Sequence, residues 1–281
     1  MGQRLGIIAG SGEFPLLAVA EARRRGLEVT VAAIRGEAQE TLGDAVPDAA
    51  WFGPGELGGL LDLLISRGIV DVLIAGKVRP ESVLRPGAAD PAALRVLDLA
   101  GGASPSRLIG SLIAFLEERG IRVLDPSPFL ADRFFPPGVL TRTRPSPAVL
   151  RDIERGFAVA RTLADLDAGQ TVVVKGGAIV ALEGAEGTDR VILRGGELAG
   201  SGTVVVKVAR SNQDPRIDLP GAGLRTVLSL VEARAAAFGF EAGKVAFFQK
   251  DEAIAAADAR GIAIVATAGS AGGRPGPRSG T

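Results

Sequence analysis

Two acidic stretches carry residue types that could hold a metal ion or a water in place. EGAEGTD, residues 183–189, sets Glu183, Glu186 and Asp189 between the apolar runs AIVAL and VIL. SNQDPRIDLP, residues 211–220, sets Asp214 and Asp218 on either side of Pro215, with Arg216 between them. Proline fixes its own φ and so restricts where the neighbouring carboxylates point. That stiffness helps a site that must hold a metal ion or a water, and it does nothing for a merely solvated turn. Gly187 precedes Thr188 and Asp189, and a glycine there lets the backbone approach a ligand closely. Taken singly, each acid is accounted for by a polar turn. As a set, joined by Lys175, Lys207 and Arg216 at nearby strand ends, they read as a site that holds a metal ion or a water. Lys207 and Arg216 are the basic members of the set. Asp189, Asp214 and Asp218 suit general-base or metal-ligand work.

A second set of candidates lies near the N-terminus. GIIAGSGEFP places Gly10, Ser11 and Gly12 at a strand-to-helix turn, where backbone N–H groups face any bound phosphate. The alternative is a tight turn that merely needs glycine. The order is G-x-G-x-x-P, with Pro15 in place of the third glycine of a dinucleotide fingerprint. The next strand ends in Ile34-Arg35, with no acid suited to a ribose. AGKVRP ends another strand, and ligands gather at the carboxyl ends of parallel strands, so Gly76, Lys77 and Arg79 are candidates for a phosphate or base.

The absences narrow the chemistry further. The chain has no Cys and no His, which removes thiol nucleophiles, Ser-His triads and imidazole or thiolate metal sites. Acid–base work falls to Asp, Glu and Lys, and any metal site is oxygen-rich, which favours Mg²⁺ and leaves manganese or calcium open. Lys+Arg and Asp+Glu number 32 each, so the chain lacks the basic footprint of a nucleic-acid binder. With no Tyr and one Trp, it also offers few platforms for base stacking. No run reaches the ~18 uncharged apolar residues of a membrane span, and the N-terminus does not read as a signal peptide. A cytoplasmic protein is expected.

The elements that must position these residues alternate. LGIIAG, LEVTVAAI, VDVLIAG and IRVLD read as strands. Phe14–Arg25, Glu56–Arg67 and Ser106–Arg119 read as helices, with Gly26 and Gly68 as caps. Alternation of this kind predicts an α/β fold, with a doubly wound, mostly parallel, Rossmann-like sheet over residues 1–125. Residues 126–148 hold Pro126, Pro128, Pro136, Pro137, Pro145 and Pro147 and read as an extended linker. A second α/β domain is expected over 149–268. It opens with a helix carrying Val149, Ile153, Phe157 and Ala160 on one face, followed by strands TVVVK, AIVALEG, TVVVKVA and KVAFF. Helices are expected near Arg225–Phe238 and Asp251–Arg260, and a disordered tail over 269–281.

GIIAGSGEFP, AGKVRP, LDAGQTVVV, VALEGAEGTD and KVARSNQDPRIDLPGAG occur in this order across nearly the whole chain. Together they resemble the LpxI-type UDP-2,3-diacylglucosamine pyrophosphatases of lipid A biosynthesis, and the pairing of EGTD with QDxRxDLP is the specific part. The resemblance implies a UDP-binding N-terminal domain and a C-terminal domain that holds the lipid product. It also implies magnesium-dependent hydrolysis of UDP-2,3-diacylglucosamine to UMP and lipid X, with water attacking the phosphorus nearer the sugar. Asp218, from RxDLP, is then the essential acid. Asp218 and Asp189 become the metal candidates, and Gly10, Ser11, Gly12, Gly76, Lys77, Gly187, Thr188 and Arg216 the substrate-binding ones. A homodimer and transient contact with the inner-membrane surface are compatible with this reading. Two departures stand out: GGASPSRLIG from Gly101 replaces a GDD-type segment, and RVILRGGEL follows Asp189, leaving Arg194 to fill an arginine position. Two other readings stay open: an NAD-dependent oxidoreductase, disfavoured by the missing glycine and ribose acid, and a non-catalytic nucleotide-sensing module.

Overall fold

The computed structural model describes residues 3–83, 87–102 and 105–268; the expected tail, 269–281, and part of the departing segment GGASPSRLIG lie outside them. The chain divides into two compact units. Unit 1 comprises Met1–Ala131 with Asp214–Asp218, and unit 2 comprises Asp132–Gln213 with Leu219–Thr281.

Unit 1 is built on a parallel sheet of strands β1 (Arg4–Ala9), β2 (Glu28–Ile34), β3 (Ala50–Phe52), β4 (Asp71–Ala75) and β5 (Arg122–Val123). Their spatial order is β3-β2-β1-β4-β5, and every pairing is parallel. The helices are α1 (Phe14–Arg24), α2 (Thr41–Ala45), α3 (Leu57–Ser66), α4 (Pro80–Val83), α5 (Pro91–Ala100) and α6 (Pro105–Glu117). A parallel sheet covered on both faces needs apolar residues at every position, which is why β1 reads as an unbroken apolar run. On one face Ile8, Ala32, Ile34 and Val72 pack against Leu60, Leu61 and Leu64 of α3 and Ile113 and Leu116 of α6. A Cβ at Gly6 would stand 2.9 Å from Leu64 Cδ2, so glycine lets α3 settle on the sheet. On the other face α1 packs against β1, β2 and β4, burying Ala18, Val19 and Ala22. The order reverses direction between β1 and β4. That switch point is where doubly wound sheets bind ligands, at the carboxyl ends of the strands.

The segment 214–218 joins unit 1 although its neighbours in sequence do not. Ile217 packs on the core formed by Ile113 and Leu116, beside Ile109 and Leu112 of α6. Arg216 Nη1 donates to Glu117 Oε1 at 3.0 Å. The sequence reading assigns Asp214 and Asp218 to the second domain; one apolar anchor and one ion pair place them with the first.

Unit 2 contains a mixed sheet. Its strands are β6 (Gly138–Val139), β7 (Thr171–Lys175), β8 (Ala178–Leu182), β9 (Val204–Lys207), β11 (Ala237–Glu241) and β13 (Ala263–Thr267), ordered β6-β13-β11-β9-β7-β8. The strands β9, β11 and β13 run parallel, and β7 runs antiparallel to β8 and β9. Two short strands, β10 (Gly221–Gly223) and β12 (Ala246–Phe248), pair separately. The helix α7 (Pro147–Asp165) covers one face with Ile153, Phe157, Ala160 and Ala164. The other face carries α8 (Thr188–Ala199), α9 (Leu224–Glu232) and α10 (Lys250–Asp258), which bury Val191, Ile192, Val227, Leu230, Ala253 and Ala257.

Two expectations differ from the fold. The helix expected to reach Phe238 stops at Glu232, and Ala237–Glu241 is the strand β11 inside the sheet. Its run AAAFGF favours a helix by local propensity, but pairing on both sides overrides propensity in a central strand. Arg234, at φ 51°, turns the chain between the two elements. The proline-rich residues 126–148 are not uniformly extended. They hold a 3-10 segment, Ser127–Arg133, and the strand β6, which pairs antiparallel with β13. Ser146 then caps α7 through Val149 N at 3.3 Å, with Pro147 in the first turn where proline is tolerated. Among the described residues no helix is long and apolar enough to cross a membrane.

Two helical glycines give opposite stability predictions. In α7, a Cβ at Gly156 would lie 2.6 Å from Val206 Cγ2 and 2.9 Å from Val174 Cγ2, so Gly156→Ala should destabilise by about 1–3 kcal/mol of overpacking. In α6, a Cβ at Gly110 would meet only Ile217 Cδ1, at 3.9 Å, so Gly110→Ala should stabilise by about 0.5–1 kcal/mol. Urea unfolding of both variants reads the two signs directly.

Candidate active site

In unit 1 the two glycine-bearing turns lie together at the switch point and are stitched to each other. Gly10 N donates to Ala75 O at 2.8 Å, Ser11 N to Lys77 O at 2.8 Å and Lys77 N to Ser11 O at 3.2 Å. Ser11 Oγ adds a bond to Lys77 O at 2.9 Å. A Cβ at Gly10 would fall 2.5 Å from Lys77 O, and one at Gly76, where φ is +87°, would fall 2.3 Å from Ser11 O. Close backbone approach therefore explains both of these glycines. Gly12 differs: its φ is +94°, and the space where its Cβ would project is open. Lys77 is exposed. Arg79 is engaged instead, its Nε 3.0 Å from Oε1 of Glu37, a carboxylate 8% exposed that also accepts Ser82 Oγ at 2.6 Å.

The acids of QDPRIDLP form a tight turn in the same unit. Asp214 accepts from Arg216 through the backbone N at 3.0 Å and through Nη2 at 2.8 Å. Its carbonyl accepts from Ile217 N and Asp218 N. The hydrogen bonds from Arg216 hold the Asp214 carboxyl below its ordinary value. Asp214 is thus the acid that shapes the turn, and Asp218 beside it is likewise half-buried.

Unit 2 brings Gly187, Thr188, Asp189 and Lys207 to one edge of its sheet. Lys207 ends β9, where register pairs it with Thr171 of β7 and Phe240 of β11. It is 6% exposed, and its Nζ donates to Thr188 Oγ1 at 2.6 Å. Thr188 opens α8 after Gly187, at φ +83°, and donates to Glu183 Oε1 at 2.9 Å. Glu183 Oε2 accepts from Gln170 N at 2.9 Å. Burial works against ionisation of Glu183. The Lys207 charge and hydrogen bonds from Gln170, Thr171 and Thr188 outweigh it and hold the carboxyl below its ordinary value.

The three acids of EGAEGTD therefore have three different surroundings. Asp189 meets Arg225 Nε at 2.6 Å. Glu186 accepts from Arg194 Nε at 3.1 Å, which occupies the arginine left to fill the family position. The acid most withdrawn from water is Glu183, a distinction among the three that the sequence reading does not draw. No local signal marks the difference, because it depends on which strands neighbour β8.

As for a metal, no group of three Asp or Glu side chains able to hold one forms among the described residues. Asp189 and Asp218, the metal candidates, belong to different compact units, and Asp189 would have to give up Arg225. Magnesium is commonly held by one or two carboxylates with water and substrate phosphate oxygens completing its shell. A single carboxylate such as Asp218, in a chain with only oxygen donors, fits that mode of binding.

Glu183 also yields a pH prediction. Its folded pKa lies below the ordinary 4.5, so its contribution to stability is full above that value and is lost as pH falls through the folded pKa. Glu183→Gln should unfold at lower urea than the unaltered protein at pH 7, and the gap should close on acidification below pH 4.5. A gap independent of pH would contradict the charge-based account.

With this geometry in view, comparison with known proteins is direct. Residues 4–133 match the LpxI N-terminal domain, and residues 136–265 match the LpxI C-terminal domain. The chain is similar to the UDP-2,3-diacylglucosamine pyrophosphatase LpxI of Caulobacter vibrioides, with 31% identity over 273 residues, covering 94% of this chain and 97% of that protein. Both domains, in order and at nearly full length, show that the chain belongs to the LpxI family.

Proposed function

We propose that the protein hydrolyses the pyrophosphate of UDP-2,3-diacylglucosamine to UMP and 2,3-diacylglucosamine 1-phosphate, lipid X, as a magnesium-dependent step of lipid A biosynthesis. The observation that carries this reading is the match of both LpxI domains along a chain similar end to end to the Caulobacter pyrophosphatase. The geometry supports it. Unit 1 offers the nucleotide a switch point with glycine clearance at Gly12 and the exposed Lys77. Unit 2 offers the acylated sugar phosphate Gly187, Thr188 and Lys207. A chain without His or Cys can still cleave a pyrophosphate with carboxylates and a lysine. Magnesium, when bound, supplies neutralisation of phosphate charge and a more acidic water. Asp218 is the residue to hold it or to orient the attacking water, and Lys207 stabilises charge on phosphate oxygen. A lipid-bearing substrate suits a cytoplasmic protein that meets the inner-membrane surface transiently.

The deciding experiment incubates the protein with detergent-solubilised UDP-2,3-diacylglucosamine and follows UMP and lipid X by mass spectrometry. Both products should form, EDTA should stop their release, and Mg²⁺ should restore it. UDP-N-acetylglucosamine should turn over far more slowly. Asp218→Asn should lower kcat by about a hundredfold or more while still binding substrate, and Asp214→Asn should cost less. An Asp218→Asn protein that folds and hydrolyses at a near-native rate would move the acid assignment elsewhere. Gly12→Val should weaken UMP binding in calorimetry by adding bulk to the open face of the turn, with lipid X binding largely unchanged.

A further inference from the structure

We propose that Glu183 is a positioning residue for this reaction, fixing through Thr188 the direction in which the Lys207 ammonium points. The inference rests on the reading given under Proposed function. Three strand ends and the start of α8 bring the participants together. Glu183 follows β8, with its backbone N donating to Thr171 O at 2.9 Å. Thr171 faces Lys207 across the β7–β9 register, and Thr188 lies within hydrogen-bond distance of both Glu183 and Lys207. A threonine hydroxyl has one proton to give. Here it goes to Glu183, which turns an oxygen lone pair toward the lysine. The order of donation, from Lys207 to Thr188 to Glu183, is thereby set by the carboxylate at its end.

The location argues for a role in the reaction beyond holding the fold. Apolar residues of similar volume would hold a strand edge at least as well as this buried charged group. The chain of bonds also lies at the carboxyl end of β9, one of three parallel strands, the edge at which α/β sheets take ligands. Glu183 itself is 9% exposed with both oxygens bonded inside the unit, so it acts through Lys207 rather than on substrate. Glutamine cannot replace it. One amide position accepts and the other donates, so either Gln170 N–H faces a donor or the amide donates to the Thr188 hydroxyl, which reverses the order of donation. Aspartate keeps both acceptors on a shorter stem.

The test is a double-mutant cycle on the full chain with UDP-2,3-diacylglucosamine. Glu183→Gln should lower kcat by about tenfold to a hundredfold with KM within about twofold of native. In a Lys207→Met background the same change should alter kcat by less than about twofold, since the group it orients is gone. Glu183→Asp should recover part of the loss. Should Glu183→Gln fail to fold, Thr188→Ser against Thr188→Val asks the same question, the first keeping the hydroxyl link and the second keeping only the shape. A native kcat in Glu183→Gln, an equal loss with and without Lys207, or equal kcat for the two Thr188 variants overturns the inference alone. No UMP from the unaltered protein overturns the reaction as well, which separates the two failures.

Discussion

A lysine ammonium almost wholly withdrawn from water must be paired and hydrogen-bonded, because burying an unpaired charge is costly. Lys207 imposes that constraint on the edge of unit 2. Meeting it takes the register that sets Thr171 beside Lys207, the strand end that delivers Glu183, and the left-handed Gly187 that admits α8 at the angle Thr188 needs. A neighbouring strand end follows the same rule with the signs exchanged. Glu241, which closes β11, is 3% exposed and is compensated by Arg161 at 2.6 Å and the N–H of Ala209 at 3.0 Å. At these two strand ends buried charge sits in hydrogen-bonded networks, which rigidify the groups they contain.

Unit 1 meets its requirements by other means. Its switch point is made of backbone, with the turns after β1 and β4 bonded to each other and with glycine wherever a Cβ would strike a carbonyl. On the proposed function such a surface would receive the nucleotide by shape, with side-chain charge at its margin in Lys77. The contrast suits a substrate with two unlike ends, a nucleotide diphosphate and an acylated sugar phosphate. It also accounts for the different behaviour of the glycines. Those that permit backbone contact, Gly10 and Gly76, belong to the fold, whereas Gly12 borders open space.

Much of this was legible in the sequence where periodicity was strong. The strands β1, β2 and β4 and the helices α1, α3 and α6 follow from apolar runs punctuated by Gly26, Gly68 and their like. The strand β11 did not, because Ala235, Ala236 and Ala237 favour a helix until partners on both sides claim the backbone. Of the site, the residue types and motifs could be read, and their division of labour could not. Whether Glu183, Glu186 or Asp189 is the buried acid depends on long-range register. That Asp214 and Asp218 belong with the first unit depends on Ile217 finding an apolar surface on α6. Both are facts of tertiary packing, for which neighbouring residues carry no signal.

On the proposed function, UMP is held by unit 1 and the acylated sugar phosphate by unit 2. Hydrogen exchange read by mass spectrometry tests it most directly, comparing the full chain alone, with UMP and with 2,3-diacylglucosamine 1-phosphate. UMP should slow exchange in the turns around Gly10–Gly12 and Gly76–Lys77, and the acylated sugar phosphate should slow it around Gly187–Asp189 and Lys207. Protection by UMP confined to residues 183–207, or by the lipid product confined to the turns after β1 and β4, would contradict that assignment.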